Sequence, residues 1–335
     1  MVKLTRRALM MATSASVAMP WFARGAAPEY RLKFGNIVGA DHPLNVYMEK
    51  VAEKVAKETD GKVEIAVYPK NQLGSDADML SQLRAGALEL FGQSGVILST
   101  LVQVSGISGV GFAFPDSDKV WQAVDGPLGK HIRGAFEKVN LYVFERCYDH
   151  GFRHVLSATK PIKTADDFKG FKIRVPASPL WTSMFKAFGA SPVTIPWAET
   201  YSALQTRVAD GLEQPVVGIY VDKMFEVGKY VSETRHMWDG LWILTSHKVW
   251  DKIPSNLRDI VERNINDGAL QQRPAAAKMN TDLEAELKGK GLEFIQVNRD
   301  EFRNKLKEAG YYSEWQKRYG DEAWSLLEAT SGKLT

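Results

Sequence analysis

The chain has 335 residues, of which 44% are hydrophobic, 25% are charged and 10% are aromatic, and it contains one cysteine. This composition is typical of a globular protein with a substantial core and excludes the disordered, collagenous and coiled-coil classes. The net charge is +3, but the first 26 residues carry four basic and no acidic side chains, so the remainder is nearly neutral. Near-neutrality argues against nucleic acid or an anionic membrane as the main partner, because both favour a basic patch.

The first 26 residues have the organisation of an export signal. Arg6 and Arg7 stand before a weakly apolar run, residues 8–22, and small residues follow at positions 23–27. A translocase reads a basic segment, an apolar segment and small residues in that order, and the signal is removed from the mature protein. The paired arginines and the low hydrophobicity favour a Tat-type signal peptide, residues 1–26, over a Sec signal. We therefore expect the mature protein to lie in the periplasm.

Strands and amphipathic helices alternate along the first part of the mature chain. The predicted strands are residues 30–38, 62–68 and 88–92, and the predicted helices are residues 44–56, with an N-cap at Asp41, and residues 76–85. The segment from residue 90 to residue 115 contains no charged side chain but holds five glycines. We interpret this segment as a strand, a loop and a second apolar segment inside a core rather than as a membrane span.

The same alternation continues further along the chain and is typical of βαβ units, which predicts an α/β fold. Strands are predicted at residues 141–146, 171–175, 191–195 and 211–219, and helices at residues 116–139, 180–188, 198–209 and 255–288, the last interrupted at Pro274. The unit is used in two lobes, with chain crossings near residues 150 and 238. The expected lobes are residues 27–150 plus 239–275 (lobe I) and residues 151–238 plus 276–335 (lobe II).

Signatures of common enzyme classes are absent from the sequence, including the nucleophile elbow, the H-E-x-x-H zinc motif, the P-loop and the dinucleotide-binding glycine motif. The spacing of Cys147, His150 and His154 resembles that of metal ligands. Alternation along a strand, however, places the two histidines on one face and the cysteine on the other. We therefore expect no metal and no cofactor, and we predict that the protein is not an enzyme.

Two arginines are the best candidates for a binding function. Arg174 lies in an alternating strand, where its apolar neighbours Ile173 and Val175 face away from it. An arginine at the end of such a strand can present its planar guanidinium to a carboxylate and form two parallel hydrogen bonds. Taken alone, both Arg174 and Arg153 would more commonly form surface ion pairs than ligand contacts.

Ordered blocks of sequence around these arginines change that interpretation. The blocks are Tyr68-Pro-Lys-Asn-Gln-Leu-Gly74, Phe112-Ala-Phe-Pro115, Gly151-Phe-Arg-His154, residues 160–176 ending in Lys-Ile-Arg-Val-Pro, Phe188-Gly-Ala-Ser-Pro-Val193 and residues 199–211. With them, the chain between about residues 30 and 250 resembles the solute-binding proteins of TRAP transporters, of the C4-dicarboxylate-binding type.

The resemblance implies a two-lobed periplasmic binding protein fold, type II-like, with a cleft between the lobes and a long helix that is expected to kink at Pro274. It implies a receptor that closes on a small organic acid and delivers it to a membrane permease. By resemblance, Arg174 forms a salt bridge with the carboxylate, Arg153 assists, and Trp197 packs against the ligand. We expect a monomer without a nucleic-acid partner.

Three further residues complete the expected substrate-binding set. The family commonly has Glu-Asn-Pro after Asp-Gly, where this chain has Glu213-Gln214-Pro215. Glutamine is an amide with one more methylene, so Gln214 is expected to bond the ligand with a shifted geometry. Gln93, in the uncharged segment, and Trp238, near a lobe crossing, are the other expected contacts.

Three other functions are alternatives to a TRAP receptor: an ABC-type receptor, a ligand-sensing subunit and an enzyme. An ABC-type receptor is disfavoured by the ordered blocks. A ligand-sensing subunit of a signalling system would use the same fold to pass a bound ligand to a kinase or another partner. A periplasmic enzyme acting on an organic acid would use Glu213 or His42 as its acid–base group, and product formation would distinguish it from a receptor.

Overall fold

The computed structural model describes residues 27–334 and shows an α/β fold built on a sheet of ten strands. The export signal predicted for residues 1–26 lies outside the described residues. All seven strands predicted from the sequence are present, although their ends differ, and β5, β9 and β10 are additional. In chain order the strands are β1 (Tyr30–Asn36), β2 (Val63–Tyr68), β3 (Leu90–Ser94), β4 (Leu141–Val143), β5 (Tyr148–Ser157), β6 (Lys172–Val175), β7 (Ser191–Thr194), β8 (Gly211–Gln214), β9 (Tyr230–Ser246) and β10 (Glu293–Ile295).

Helices follow most of the strands, as expected for βαβ units. The α-helices are α1 (Pro43–Glu58), α2 (Asp76–Ala85), α3 (Gly95–Leu98), α4 (Ser117–Val124), α5 (Pro127–Glu137), α6 (Pro179–Ala187), α7 (Trp197–Gln205), α8 (Val216–Val221), α9 (His247–Trp250), α10 (Ser255–Gly289), α11 (Arg299–Glu308), α12 (Tyr311–Tyr319) and α13 (Asp321–Ser331). The uncharged segment, residues 90–115, contains β3, α3 and a 3₁₀ helix. Within the described part of the chain, no helix is long and apolar enough to cross a membrane.

Two long antiparallel strands, β5 and β9, connect the two ends of the sheet. The strand order is β2-β1-β3-β9-β5-β8-β6-β7, and β4 and β10 also pair with β9. The strands β1, β2 and β3 are parallel to one another and form the first parallel group; β6, β7 and β8 form the second. The 17 residues of β9 pair with β3 near one end and with β10 near the other. The assignment of the chain to two lobes stays a prediction.

The long helix α10 packs against both α1 and α8. It has 35 residues and continues through Pro274, so the predicted interruption at this residue is wrong. Proline lacks the N–H that would bond the carbonyl of Leu270 inside the helix. Leu270 is exposed, so water can donate to that carbonyl instead. The kink itself stays a prediction.

The start of α1 differs from the prediction in a way that affects the site. The expected N-cap, Asp41, is exposed, and the cap is His42, whose Nδ1 accepts a hydrogen bond from the Leu44 N–H at 3.1 Å. Pro43 follows at the first helical position, where a missing N–H costs nothing. The imidazole of His42 is therefore fixed at the start of α1, where its Nε2 reaches His150 on β5.

Two predicted elements are divided in the structure, in each case at a proline. Residues 116–139 form α4 and α5 rather than one helix, because Pro127 begins a new helix after Gly126. The strand predicted for residues 211–219 ends at Gln214, because Pro215 has no N–H for strand pairing and α8 follows it. This second division places Gln214 at the carboxyl end of β8.

Candidate functional site

A cavity of about 30 Å³ is lined by both parallel groups of strands and by β5 and β9. Residues at the carboxyl ends of β3, β6 and β8 contribute to its wall, and ligands of open α/β sheets usually bind at such ends. A larger open pocket beside α6 and α12, of about 790 Å³, has no buried charged side chain in its lining. The residues lining the small cavity are Ile37, Val38, Gln93, Ser94, Ile97, His150, Arg153, Arg174, Pro176, Trp181, Trp197, Gln214, Asp239 and Leu241.

The cavity brings together all but one of the residues predicted to bind substrate, namely Gln93, Arg153, Arg174, Trp197 and Gln214. The exception is Trp238, which the structure does not place on the wall. Its neighbours Asp239 and Leu241 face the cavity, and alternation along β9 turns Trp238 to the other side. Its indole packs against Trp121, with ring centroids 5.4 Å apart, and donates a hydrogen bond to Asp149 at 2.9 Å.

Arg174 is buried on the cavity wall with few protein partners. It lies in β6, is 3% exposed, and donates from Nε to the Ile195 carbonyl at 2.9 Å. Within residues 27–334, the guanidinium makes no other hydrogen bond and no salt bridge. The indole of Trp197 covers it, with the ring centroid 5.2 Å from the guanidinium carbon. The two terminal nitrogens of Arg174 therefore retain donors that can form parallel bonds with a carboxylate.

Arg153, in β5, is equally buried but is held by the protein. Its Nε and Nη2 donate to the two carboxylate oxygens of Glu213, and Nη2 also donates to the Glu213 carbonyl at 2.9 Å. Its Nη1 donates to Asp239 at 2.7 Å. The ring of Trp181 lies 4.9 Å from its guanidinium carbon. Most of its N–H groups are thus occupied, and two carboxylates match its charge.

Burial acts to lower the pKa of both arginines, and the carboxylates around them decide the outcome. Burial lowers the pKa of Arg174 to about 10, because Glu213 opposes the shift only in part. Burial acts to lower the pKa of Arg153, but its two carboxylates outweigh this effect and raise that pKa. Burial acts to raise the pKa of Glu213, but Arg153 and His236 hold it below its usual range. Both arginines are therefore charged at neutral pH.

Gln93 and Ser94 form the wall on the side of β3. The Nε2 of Gln93 donates to Asp76 at 2.5 Å, and its Oε1 accepts from the Ser94 N–H at 2.7 Å. The hydroxyl of Ser94 donates to Asp239 at 2.5 Å. Burial raises the pKa of Asp76 and of Asp239, and Arg153 opposes the rise at Asp239. Hydrogen bonds therefore run from Asp76, on α2, across β3 and β9 to Arg153.

Gln214 and Trp197 complete the second side of the wall. Gln214 is 4% exposed, and its Oε1 is buried without a hydrogen-bond partner among the described residues. An unpaired buried amide oxygen is costly unless something else donates to it. Trp197, at the start of α7, also lines an outer pocket of about 320 Å³. Its indole thus lies between the cavity and that outer pocket.

Four polar residues of the site were not predicted: Asp76, Ser94, His150 and Asp239. Strand β9 is absent from the predicted elements, although a single acidic residue within the apolar run around Trp238 was an available signal for Asp239. His150 was considered only as a metal ligand. The signal for Asp76 was weak, because an acidic residue in the first turn of a helix usually interacts with the helix dipole.

The residues weighed as metal ligands and as acid–base groups are held by other protein groups in the structure. Cys147 is buried in the core, and His150 pairs with His42 rather than with His154. In residues 27–334, no group of three or more potential metal-binding side chains is found. Glu213, a candidate acid–base group, is fully buried against Arg153.

A sequence profile of the bacterial extracellular solute-binding proteins of family 7, the DctP family, matches residues 34–317. The chain is 33% identical over 303 residues to a protein designated y4mM of Sinorhizobium fredii, covering 90% of this chain and 56% of that longer protein. It is 31% identical over 264 residues to the C4-dicarboxylate-binding periplasmic protein DctP of Rhodobacter capsulatus, with 78% of each chain covered.

Solved structures show the same fold. A TRAP periplasmic solute-binding protein of Sulfurospirillum deleyianum with bound succinate matches with a TM-score of 0.85 and 27% identity, over 91% of this chain and 99% of the other. One of Haemophilus influenzae with bound L-gulonate matches with a TM-score of 0.84 and 27% identity, over 90% and 98%. The predicted α/β fold with a long helix and the prediction of a binding protein rather than an enzyme are confirmed. The chain belongs to the DctP family, the TRAP solute-binding proteins of extracellular solute-binding family 7.

Proposed function

We propose that the protein is the periplasmic receptor of a TRAP transporter and that it captures a small organic acid through a salt bridge between the acid's carboxylate and Arg174. The observation that carries this proposal is the contrast between the burial of Arg174 and its lack of an anionic partner within residues 27–334. A buried charge is normally paired. A ligand carboxylate would supply the missing partner, and the contact would contribute about 1.5–3 kcal/mol.

The other cavity residues support the same ligand class. Trp197 covers the guanidinium of Arg174 and offers a flat apolar surface to the carbon skeleton of the acid. Gln214 has a buried oxygen that a hydroxyl of the ligand could satisfy. In this arrangement Arg153 assists indirectly, because it fixes the positions of Asp239, which lines the cavity, and of the buried Glu213 next to Gln214.

The wider organisation favours a receptor that hands its ligand on. The wall is contributed by both parallel groups of strands, so relative movement of the two groups would open and close it. The relative from Rhodobacter capsulatus is described as periplasmic, and the leader with its paired arginines agrees with export of this chain. We propose that the mature protein is a periplasmic monomer that delivers the bound acid to TRAP membrane subunits.

A thermal-shift screen of the mature protein against organic acids tests the function. An acid present at about 100 times its dissociation constant should add about 2.7 kcal/mol to the free energy of unfolding. Nuclear magnetic resonance of the mixture should show the acid unchanged after prolonged incubation. Absence of stabilisation by every acid, or conversion of a bound acid to a product, would contradict the proposal.

A further inference from the structure

The charges around the cavity leave one cation for a ligand to pair with. Two arginines line the wall, but Arg153 already pairs with Glu213 and Asp239. Of the side chains that line the cavity, Arg174 is the one cation that forms no hydrogen bond or salt bridge with a carboxylate of the described residues. Glu213 and Asp76 act on it only through charge. A ligand with one carboxylate therefore finds one partner, and a second carboxylate finds none.

The wall formed by β3 repels a second carboxylate in addition. Gln93 and Ser94 are each hydrogen-bonded to a carboxylate behind them, Asp76 and Asp239 respectively. Asp239 pairs with Arg153, and Asp76 acts through charge on Arg174, so neither carboxylate leaves a cation for another anion. Negative charge behind a poorly solvated wall opposes a further anion and favours a hydrogen-bond donor. A ligand hydroxyl is such a donor.

The histidine on the wall is neutral. Because the Nδ1 of His42 accepts from the Leu44 N–H, its proton is on Nε2, which donates to the Nδ1 of His150 at 2.9 Å. His150 therefore carries its own proton on Nε2. Burial lowers the pKa of His42 to about 3 and holds that of His150 below its usual range. His150 thus presents a neutral imidazole to the cavity beside Gln214 and adds no second positive charge.

We propose that this site selects a monocarboxylic acid that also carries a hydroxyl group and rejects the dicarboxylic acid of the same length. The inference rests on the proposed function, in which Arg174 binds the carboxylate. The hydroxyl lies where His150 can donate to its oxygen and the polar wall of Gln93 and Gln214 can accept its proton.

Matched pairs of acids test the selectivity. We would titrate the wild-type protein calorimetrically with lactate against malonate, erythronate against meso-tartrate and gluconate against glucarate. In each pair the chain length is the same, and one member has a second carboxylate. At least one hydroxy monoacid should bind at least about tenfold more tightly than its partner. Equal or tighter binding of the diacids would overturn the proposed selectivity.

Two variants separate this proposal from the proposed function. Arg174→Ala should weaken the binding of whichever acids bind the wild type by at least about thirtyfold; unchanged affinity would contradict the function itself. Asp76→Asn should narrow the preference for the monoacid by at least about threefold, because it removes a negative charge without changing shape. The matched control is Asp118→Asn, an exposed carboxylate in the first turn of α4, which should leave the preference unchanged. An unchanged preference in Asp76→Asn, or no binding of any probe to the wild type, would overturn the selectivity proposal.

Discussion

Arg153 and Arg174 lie on the wall of the same cavity and are 4% and 3% exposed, but among residues 27–334 only the first forms salt bridges with carboxylates. Each is covered by a tryptophan ring, Trp181 and Trp197 respectively. In the described part of the chain, two carboxylates accept hydrogen bonds from Arg153, whereas a backbone carbonyl is the one hydrogen-bond acceptor of Arg174. Burial and residue type therefore do not distinguish a ligand-binding arginine from a structural one, whereas the set of its protein partners does.

The difference has an energetic meaning. Removing one member of a buried ion pair typically costs about 3–5 kcal/mol, because the remaining charge is left without a partner. The network around Arg153 contributes in this way to the folded protein. Arg174 instead remains desolvated without such compensation, and its binding partner would come from the ligand.

The largest expected effect is therefore on stability and concerns Arg153. Arg153→Ala should lower the free energy of unfolding by about 3–5 kcal/mol, because Glu213 and Asp239 remain buried without their cation. Denaturant unfolding of the unliganded protein measures this change. The matched control, Arg174→Ala, should change the same quantity by less than about 1 kcal/mol, since it removes one hydrogen bond to a carbonyl. Equal destabilisation by both variants would break the comparison.

The predictability of the two arginine sites from sequence differs for physical reasons. Arg174 could be placed because its strand alternates clearly and the blocks on both sides of it are distinctive. The partners of Arg153 could not all be placed, because Asp239 lies 86 residues away along the chain. Asp239 lies in β9, which is nearly apolar at one end. Such a run lacks the alternation of polar and apolar residues by which a strand is predicted, and β9 is absent from the predicted elements.

The same distinction applies to the fold. Local signals such as Gly126-Pro127 and the capping box of Ser75 and Asp78 determine where helices begin, and α2 occurs over the predicted residues. The interruption at Pro274 was wrong because packing of α10 against α1 and α8 outweighs one missing hydrogen bond. The order and pairing of the strands depend on residues far apart along the chain, and a local sequence pattern cannot specify them.

A smaller effect, on pH dependence, concerns the region of Arg153. Burial raises the pKa of Asp149 to about 6, although the Trp238 indole and Arg273 oppose the rise. The folded protein therefore binds a proton at Asp149 more tightly than the unfolded chain, and stability should fall as the pH rises from about 4 to about 6. Asp149→Asn should remove about 1–3 kcal/mol of this fall. The free energy of unfolding would be measured for the variant and the wild type across this pH interval. If it fell by the same amount in both proteins, Asp149 would not be the group responsible.

The most direct test of the central claim is calorimetric titration of Arg174→Ala with an acid that binds the wild type, performed beside an unfolding measurement of the same variant. The binding free energy should weaken by about 2–5 kcal/mol, since the buried carboxylate loses its partner, while the unliganded variant remains as stable as the wild type. Arg174→Lys should also bind poorly, because an ammonium group does not reproduce the two parallel bonds. Affinity close to that of the wild type in Arg174→Ala would contradict the assignment of Arg174 as the residue that binds the acid.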